Sequence, residues 1–382
     1  MDPAIGAVQR TSWDDVLDWS GSVRAVAVMR MAMGLITLLH LRPFLRDAAH
    51  GVSYTDHFWH PFIPWLPELP DRAWSALLWI GAAAAVLTTI GLWTRLATLT
   101  MFTVVAGNLL LSTTHFRHNR AFLVIVLGGL ALLPTGRVLS IDAWRRRRTS
   151  GSARSDVVAL WPLGLLRVQV CLVYLASGFS KLIDPDWVGG LVLWDRVVRY
   201  RHVLEPTPIP GWAVDLLVER PLYYVIAPAA VLTELFIGIG LLVHRTRLLA
   251  VWVAVVFHLL IETTASIEIF SLAAIAALAI WVTPSTRDRV VRAGGDGASS
   301  AAVIMLVRAG DWFGRFRVER GGPAEPALLV VDRDGRMSTG GAAVGLVLSR
   351  FPLTFAAAAP MRFLTRRRAS MTRSRRDHIW PR

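Results

Sequence analysis

Leu222–Val243 reads LYYVIAPAAVLTELFIGIGLLV, a run of 22 residues in which Glu234 is the one charged side chain. As a helix rising 1.5 Å per residue, such a run covers ~30 Å, the thickness of a bilayer's hydrocarbon core. Hydrocarbon offers no partner to backbone N–H and C=O groups, so a run buried there must close its own hydrogen bonds as a helix. Seven further apolar runs flank it: Val23–Leu41, Ala73–Trp93, Leu96–Thr114, Ala121–Pro134, Val157–Gly178, Leu248–Ile261 and Ile267–Val282. Ala121–Pro134 and Leu248–Ile261 are short, and Arg120 and Arg247 at their edges can snorkel to the interface and lengthen them. Composition points the same way, with 54% hydrophobic residues, 18% charged residues and a mean hydropathy of +0.48. A soluble domain needs more polar surface than that. The expected fold is an all-α polytopic membrane helix bundle of about eight transmembrane helices with a small C-terminal cytoplasmic α/β appendage.

The net charge is +14 and the arginines are unevenly placed. Arg145–Arg148 form one cluster, and Met361–Arg382 holds eight more arginines. Beside membrane spans, such clusters read as cytoplasmic anchors near anionic lipid rather than as nucleic-acid binders. With Arg145–Arg148 in the cytoplasm, Arg95, Arg245, Arg247 and Arg287–Arg292 also fall inside, and the Glu262–Glu268 loop, which lacks basic residues, falls outside. Both termini are then cytoplasmic, and the plasma membrane is the expected location. The long loops Arg42–Arg72 and Phe179–Pro221, rich in Trp, Tyr and Pro, read as exoplasmic caps over the bundle. Residues 1–21 lack the apolar core of a cleavable signal peptide and read as an interfacial segment with a short helix at Trp13–Trp19. After the transmembrane domain (22–284), a linker is expected over 285–300. A small α/β unit follows over 301–368, with a strand at Ala327–Val331, a turn at Asp332–Gly335 and a helix at Ala342–Phe351. A basic tail closes the chain over 369–382.

Polar groups inside spans are costly and either tie helices together or line a shared cavity. Here they are Arg24, Arg30, Asn108, Arg167, Gln169, Glu234 and His258, and Glu234 is expected to pair with an arginine. Of 41 basic side chains, 40 are Arg, and the single lysine is Lys181, followed closely by Asp184 and Asp186. A desolvated lysine releases its proton, whereas an arginine does not. The competing reading is a snorkelling lysine with capping aspartates at a membrane boundary. Cys171 is the one cysteine, so no internal disulfide and no CxxC motif exists. His57 and His60 read as interfacial residues, and no metal site is expected.

The stretch Trp161-Pro-Leu-Gly-Leu-Leu-Arg-Val-Gln-Val-Cys-Leu-Val-Tyr174, running on to Ser180-Lys-Leu-Ile-Asp-Pro-Asp-Trp187 and Gly190, resembles the HTTM family. That family is named for a horizontally transferred transmembrane domain and includes the vitamin K-dependent gamma-carboxylase. Arg30–Gly34, Asn119–Leu123, Leu132–Pro134, Leu139–Asp142, Glu234 and Phe257-His258 carry the same resemblance over about residues 12–284. It implies that Lys181 is the base toward a reduced quinone, menaquinone or vitamin K hydroquinone. Oxygen chemistry then yields an epoxide and a strong base, which in the carboxylase deprotonates a glutamate γ-carbon that captures carbon dioxide. His258 matches a histidine of a later helix and is expected to hydrogen-bond the quinol or its oxyanion. Lys181 and His258 are thus the expected catalytic residues, and Arg30, Arg120, Arg167, Glu234 and Trp187 the expected cofactor-binding residues. Asn119-Arg120 stands where the carboxylase has Asn-His, and the carboxylase's large exoplasmic domain has no counterpart here. The rival expectation is a non-catalytic membrane protein, a lipid-binding or transport component that retains the fold. Leu328–Arg336, Gly340–Arg350 and Pro360–Arg368 are similar to the second half of DCC-type thiol–disulfide oxidoreductases, whose CxxC-bearing half is absent here. The expected partners are the bilayer and a quinol, without nucleic acid; no protein partner is identified.

Overall fold

The computed structural model describes residues 20–358 apart from 57–58, 66–67, 152–154, 205–208, 266–267, 283–288, 296–297, 323, 333–334, 352 and 355–357. The expected interfacial helix Trp13–Trp19 and the basic tail 369–382 lie outside the described residues. The chain divides into two compact units at Trp281–Val282.

In the first unit, β1 (Ser20–Ser22) leads into α1 (Arg24–Ala49), α2 (Asp71–Ile90), α3 (Thr94–Leu110) and α4 (His118–Ala131). The amphipathic α5 (Ile141–Ser150), β2 (Val157–Ala159) and α6 (Trp161–Leu182) follow. Four short helices come next: α7 (Pro185–Val188), α8 (Leu191–Arg199), α9 (Arg201–Leu204) and α10 (Gly211–Leu217). The unit ends with α11 (Tyr223–Leu242), α12 (Arg247–Ala265) and α13 (Phe270–Ala277), the last continued by a 3-10 turn over Leu278–Val282. Each of the eight apolar runs therefore carries helix. Among the described residues, four helices are long and apolar enough to cross a membrane, namely Arg24–Ala49, Asp71–Ile90, Trp161–Leu182 and Arg220–Leu242. Thr94–Leu110, His118–Ala131 and Phe270–Trp281 are apolar but shorter.

The helices pack in sequence order, α1 on α2, α2 on α3, α3 on α4, α6 on α11, α11 on α12 and α12 on α13. The ring closes because α13 packs on α1 and α4, and α4 on α6. Leu35, Leu39, Leu165, Leu172, Leu232 and Ile239 stay exposed, an apolar surface of the kind that marks contact with membrane. Small residues bring backbones together where helices cross. A Cβ on Gly178 would lie 2.7 Å from Leu235 of α11, and one on Gly238 would lie 2.8 Å from Leu175 of α6. These reciprocal glycine–leucine contacts fix the approach of α6 to α11.

One end of the bundle carries the arginine cluster of α5. There β1 pairs antiparallel with β2, Ser20 opposite Ala159, tying the segment before α1 to the segment before α6. Asp142 binds the start of α3, accepting from the backbone of Trp93 at 3.0 Å and of Thr94 at 2.8 Å, and from the Thr94 hydroxyl at 2.7 Å. Burial works to raise the Asp142 carboxyl, but these hydrogen bonds and Arg146 outweigh it and hold it below the ordinary carboxylate range. At the opposite end, Trp59 Nε1 donates to the Leu111 carbonyl, and Trp74 Nε1 donates to buried Asn108, joining α2 to α3.

The second unit holds a four-stranded sheet in the order β4-β3-β5-β6, from β3 (Arg289–Ala293), β4 (Phe316–Arg320), β5 (Leu329–Val331) and β6 (Met337–Thr339). The β3–β4 pair is parallel and bridged by α14 (Ala298–Gly310); the other pairs are antiparallel, and α15 (Gly340–Leu348) follows β6. Val291, Val307, Phe316, Val330, Leu346 and Phe351 share its core. The linker expected over 285–300 is corrected here, because β3 occupies a central position in the sheet. Its arginines disguised it: buried Arg289 pairs with Asp332 at 2.8 Å, and Arg292 with Glu319 at 3.1 Å.

Gly238→Leu should overpack the α6–α11 contact and destabilise the protein by about 1–3 kcal/mol. Thermal unfolding in detergent would read this as a lowered Tm, and an unchanged Tm would remove the glycine contact from the account.

Candidate functional site

Tyr174, Gly178 and Lys181 stand at i, i+4 and i+7 on α6 and so share one face. Gly178 gives that face its close approach to α11, and Lys181 Nζ donates to Glu234 Oε1 at 2.5 Å. The Glu234 side chain is 9% exposed and that of Lys181 20%, so the pair sits mostly away from water. The partner expected for Glu234 was an arginine; the structure supplies the lysine instead.

The Asp184-Pro-Asp-Trp187 sequence explains the position of Trp187. Asp184 is an N-cap, its Oδ1 accepting from the backbone N–H groups of Asp186 at 2.9 Å and Trp187 at 3.4 Å, with Pro185 in the first turn of α7. That turn folds the chain back and puts the Trp187 ring 4.8 Å from Lys181 Nζ, a cation–π distance. From α12, fully buried His258 meets Tyr174, with Tyr174 Oη and His258 Nε2 2.6 Å apart. His258 lies within electrostatic reach of Lys181, and Tyr174 within that of Glu234. Phe270 packs against the His258 ring at 5.3 Å and against Phe122 at 5.8 Å. Glu234 Oε2 and His258 Nδ1 are buried without a hydrogen-bond partner among the described residues. Buried polar atoms are nearly always paired, so these two orphans, one on the ion pair and one on the histidine, are candidate contacts for a ligand.

Of the residues singled out from sequence, Lys181, Glu234, Trp187 and His258 come together. Arg30, Arg167 and Arg120 do not join them. Arg30 is fully buried at the arginine-rich end, donating to the carbonyls of Thr135 at 3.1 Å and Leu139 at 2.5 Å. Arg167 sits 14 residues before Lys181, about 21 Å away along α6, and donates through Nε and Nη2 to the Ile280 carbonyl. Arg120 lies at the same end as Lys181 but clamps Glu268, with Nη2–Oε1 at 3.0 Å and Nε–Oε2 at 3.2 Å. Asn119 adds a bond to Glu268, and the Arg120 guanidinium stacks on Phe44. Burial works to raise the Glu268 carboxyl, and Arg120 overrides it, leaving the group below its ordinary range.

Residues 22–285 match the family model of the HTTM domain. The chain belongs to the HTTM family. No curated protein and no solved structure matches it. Membership and the apolar helices make it an integral membrane protein associated with the lipid bilayer. Within the HTTM domain, Tyr174 is the site residue that reading by residue type passed over. Its seven-residue spacing from Lys181 was the available signal, because two helical turns return a side chain to nearly the same face.

Chemically, the ion pair and its neutral counterpart differ by one proton moved along the Lys181–Glu234 bond. In a low-dielectric bundle, removal of one charge strands the other. Glu234→Leu should therefore destabilise the protein by about 3 kcal/mol, and adding Lys181→Met should recover most of that loss. A double-mutant cycle by thermal unfolding measures this, and strictly additive losses would show that the two charges are not coupled. For Glu268, whose folded value is lowered, the clamp's contribution is full above the ordinary carboxylate range and fades as pH falls through the lowered value. The Tm gap between wild type and Glu268→Gln should thus shrink below about pH 4. A gap that widens on acidification would reverse the assigned sign.

Proposed function

We propose that this HTTM protein is a plasma-membrane enzyme that acts on a lipid-soluble hydroquinone, with Lys181 as the base. About eight helices would cross the bilayer, with both termini and the arginine cluster of α5 in the cytoplasm. The observation that carries the reading is the convergence of Lys181, Glu234, Tyr174 and His258, with two buried polar atoms unpartnered.

A reduced menaquinone or vitamin K hydroquinone fits this donor set. It is an aromatic diol, and Trp187 and Phe270 offer ring faces while Glu234 Oε2 and His258 Nδ1 offer polar anchors. When bound, it supplies reducing electrons and an acidic phenolic hydroxyl. Shifting the Lys181 Nζ proton to Glu234 leaves a free amine, which accepts the phenolic proton. With the Tyr174 hydroxyl as donor to His258 Nε2, 2.6 Å away, the histidine would carry its proton on Nδ1 and present a donor to the ligand's oxygen. Trp187 covers one side of the amine.

The second unit reads as a remnant of a DCC-type oxidoreductase without thiol chemistry, since the chain's one cysteine is Cys171 in α6. The ion pair also favours a second reading, a purely structural tie between α6 and α11 in a non-catalytic lipid-binding or transport component. Lys181→Arg separates the two, because it keeps the charge but cannot supply a neutral amine. Purified wild type should contain extractable menaquinone and, supplied with molecular oxygen, convert its reduced form to the epoxide with release of water, and Lys181→Arg should lose turnover by at least about a hundredfold. Absence of quinone and of epoxide from wild type, or full turnover in the variant, would leave the structural tie as the reading.

A further inference from the structure

The arginine-rich end of the bundle holds a cavity of about 360 Å³ between the start of α3, the end of α4 and α5. Arg95, Arg137 and Arg146 line it, with Thr94 and Thr98 on the α3 side. Asp142 also lines it, but both of its carboxylate oxygens are engaged by the start of α3. Arg146 spends one Nη2 donor on the Gly136 carbonyl at 2.5 Å. Arg95 and Arg137 form no ion pair among the described residues. Three arginines thus line one small space with a single carboxylate that is already satisfied.

The surroundings choose the anion. Leu132 lines the same cavity and is 62% exposed, and Leu96, next to Arg95, is 65% exposed. Both belong to the outward apolar surface of α3 and the end of α4, which hydrocarbon covers in a membrane protein. A ligand here has a phosphate among the arginines and apolar chains beside the leucines. Arginine forks match phosphate oxygens in paired hydrogen bonds, and basic pockets at the ends of membrane helices suit anionic headgroups. We propose that this cavity is a binding site for the phosphodiester headgroup of an anionic phospholipid, with Arg95 and Arg137 as its main contacts. The site lies at the end of the bundle away from Lys181 and is independent of the quinol reading.

The test uses the full chain in detergent, incubated with phosphatidylglycerol or phosphatidylcholine and examined by native mass spectrometry. Wild type should retain phosphatidylglycerol about tenfold more than phosphatidylcholine. Arg95→Gln with Arg137→Gln should bring the two lipids to equal retention. Arg147→Gln, an exposed position on α5 outside the cavity lining, should behave as wild type. Equal retention of both lipids by wild type would overturn the proposal whatever the variants do. Undiminished phosphatidylglycerol retention in the double variant would overturn it too. Displacement of the lipid by millimolar inorganic phosphate would assign the cavity to free phosphate and sink the lipid assignment.

Discussion

Two opposite charges lie between α6 and α11, in a bundle whose outer faces are apolar. In such surroundings an ion pair persists only if its partners touch. Much of the local structure follows from that demand. Gly178 and Gly238 let the two helices approach until lysine and glutamate meet. Asp184 then turns the chain sharply, so that Trp187 lies over the ammonium group. A side chain at either glycine would push the helices apart, and a different cap would send the indole elsewhere.

Buried arginines meet the same demand partly through the backbone. Arg30 and Arg167 spread their guanidinium charge over backbone carbonyls near helix ends, which leave such acceptors spare. Arg30 reaches Leu139, and Asp142 reaches Trp93; both Leu139 and Trp93 hold the left-handed backbone that non-glycine residues seldom adopt, with φ of 47° and 46°. Such conformations persist where surrounding bonds over-determine them. These arginines therefore act as internal staples between their helices and the neighbouring helix ends.

How much of this was legible in sequence depended on whether a signal was local. The apolar runs announced their helices because hydrocarbon length and charge avoidance act residue by residue. Lys181 stood out by contrast with 40 arginines, and the Asp-Pro-Asp-Trp turn by its capping chemistry. The pairing of Lys181 with Glu234 was hidden, because 53 positions separate the two and only the helix crossing joins them. Arg30 and Arg167 looked like candidates for a shared cavity because a one-dimensional reading gives residue type without depth along the span. Strand β3 escaped because Arg-Val-Val-Arg-Ala reads as polar until Asp332 and Glu319 supply its partners. In each case the missing information was a long-range contact.

The pairing of β1 with β2 bears on how the protein is made. Ser22 bonds to Asp156, 134 positions further along, and the short ribbon ties the segment leading into α1 to the one leading into α6. On a translating ribosome the first helix enters the lipid long before residue 156 is polymerised. Until then its leading end has no fixed neighbour, and α1 to α5 form a provisional assembly open on one side. The arrival of β2 ties the segment leading into α1 to the segment leading into α6, and the ring itself waits for α13 to pack on α1 and α4.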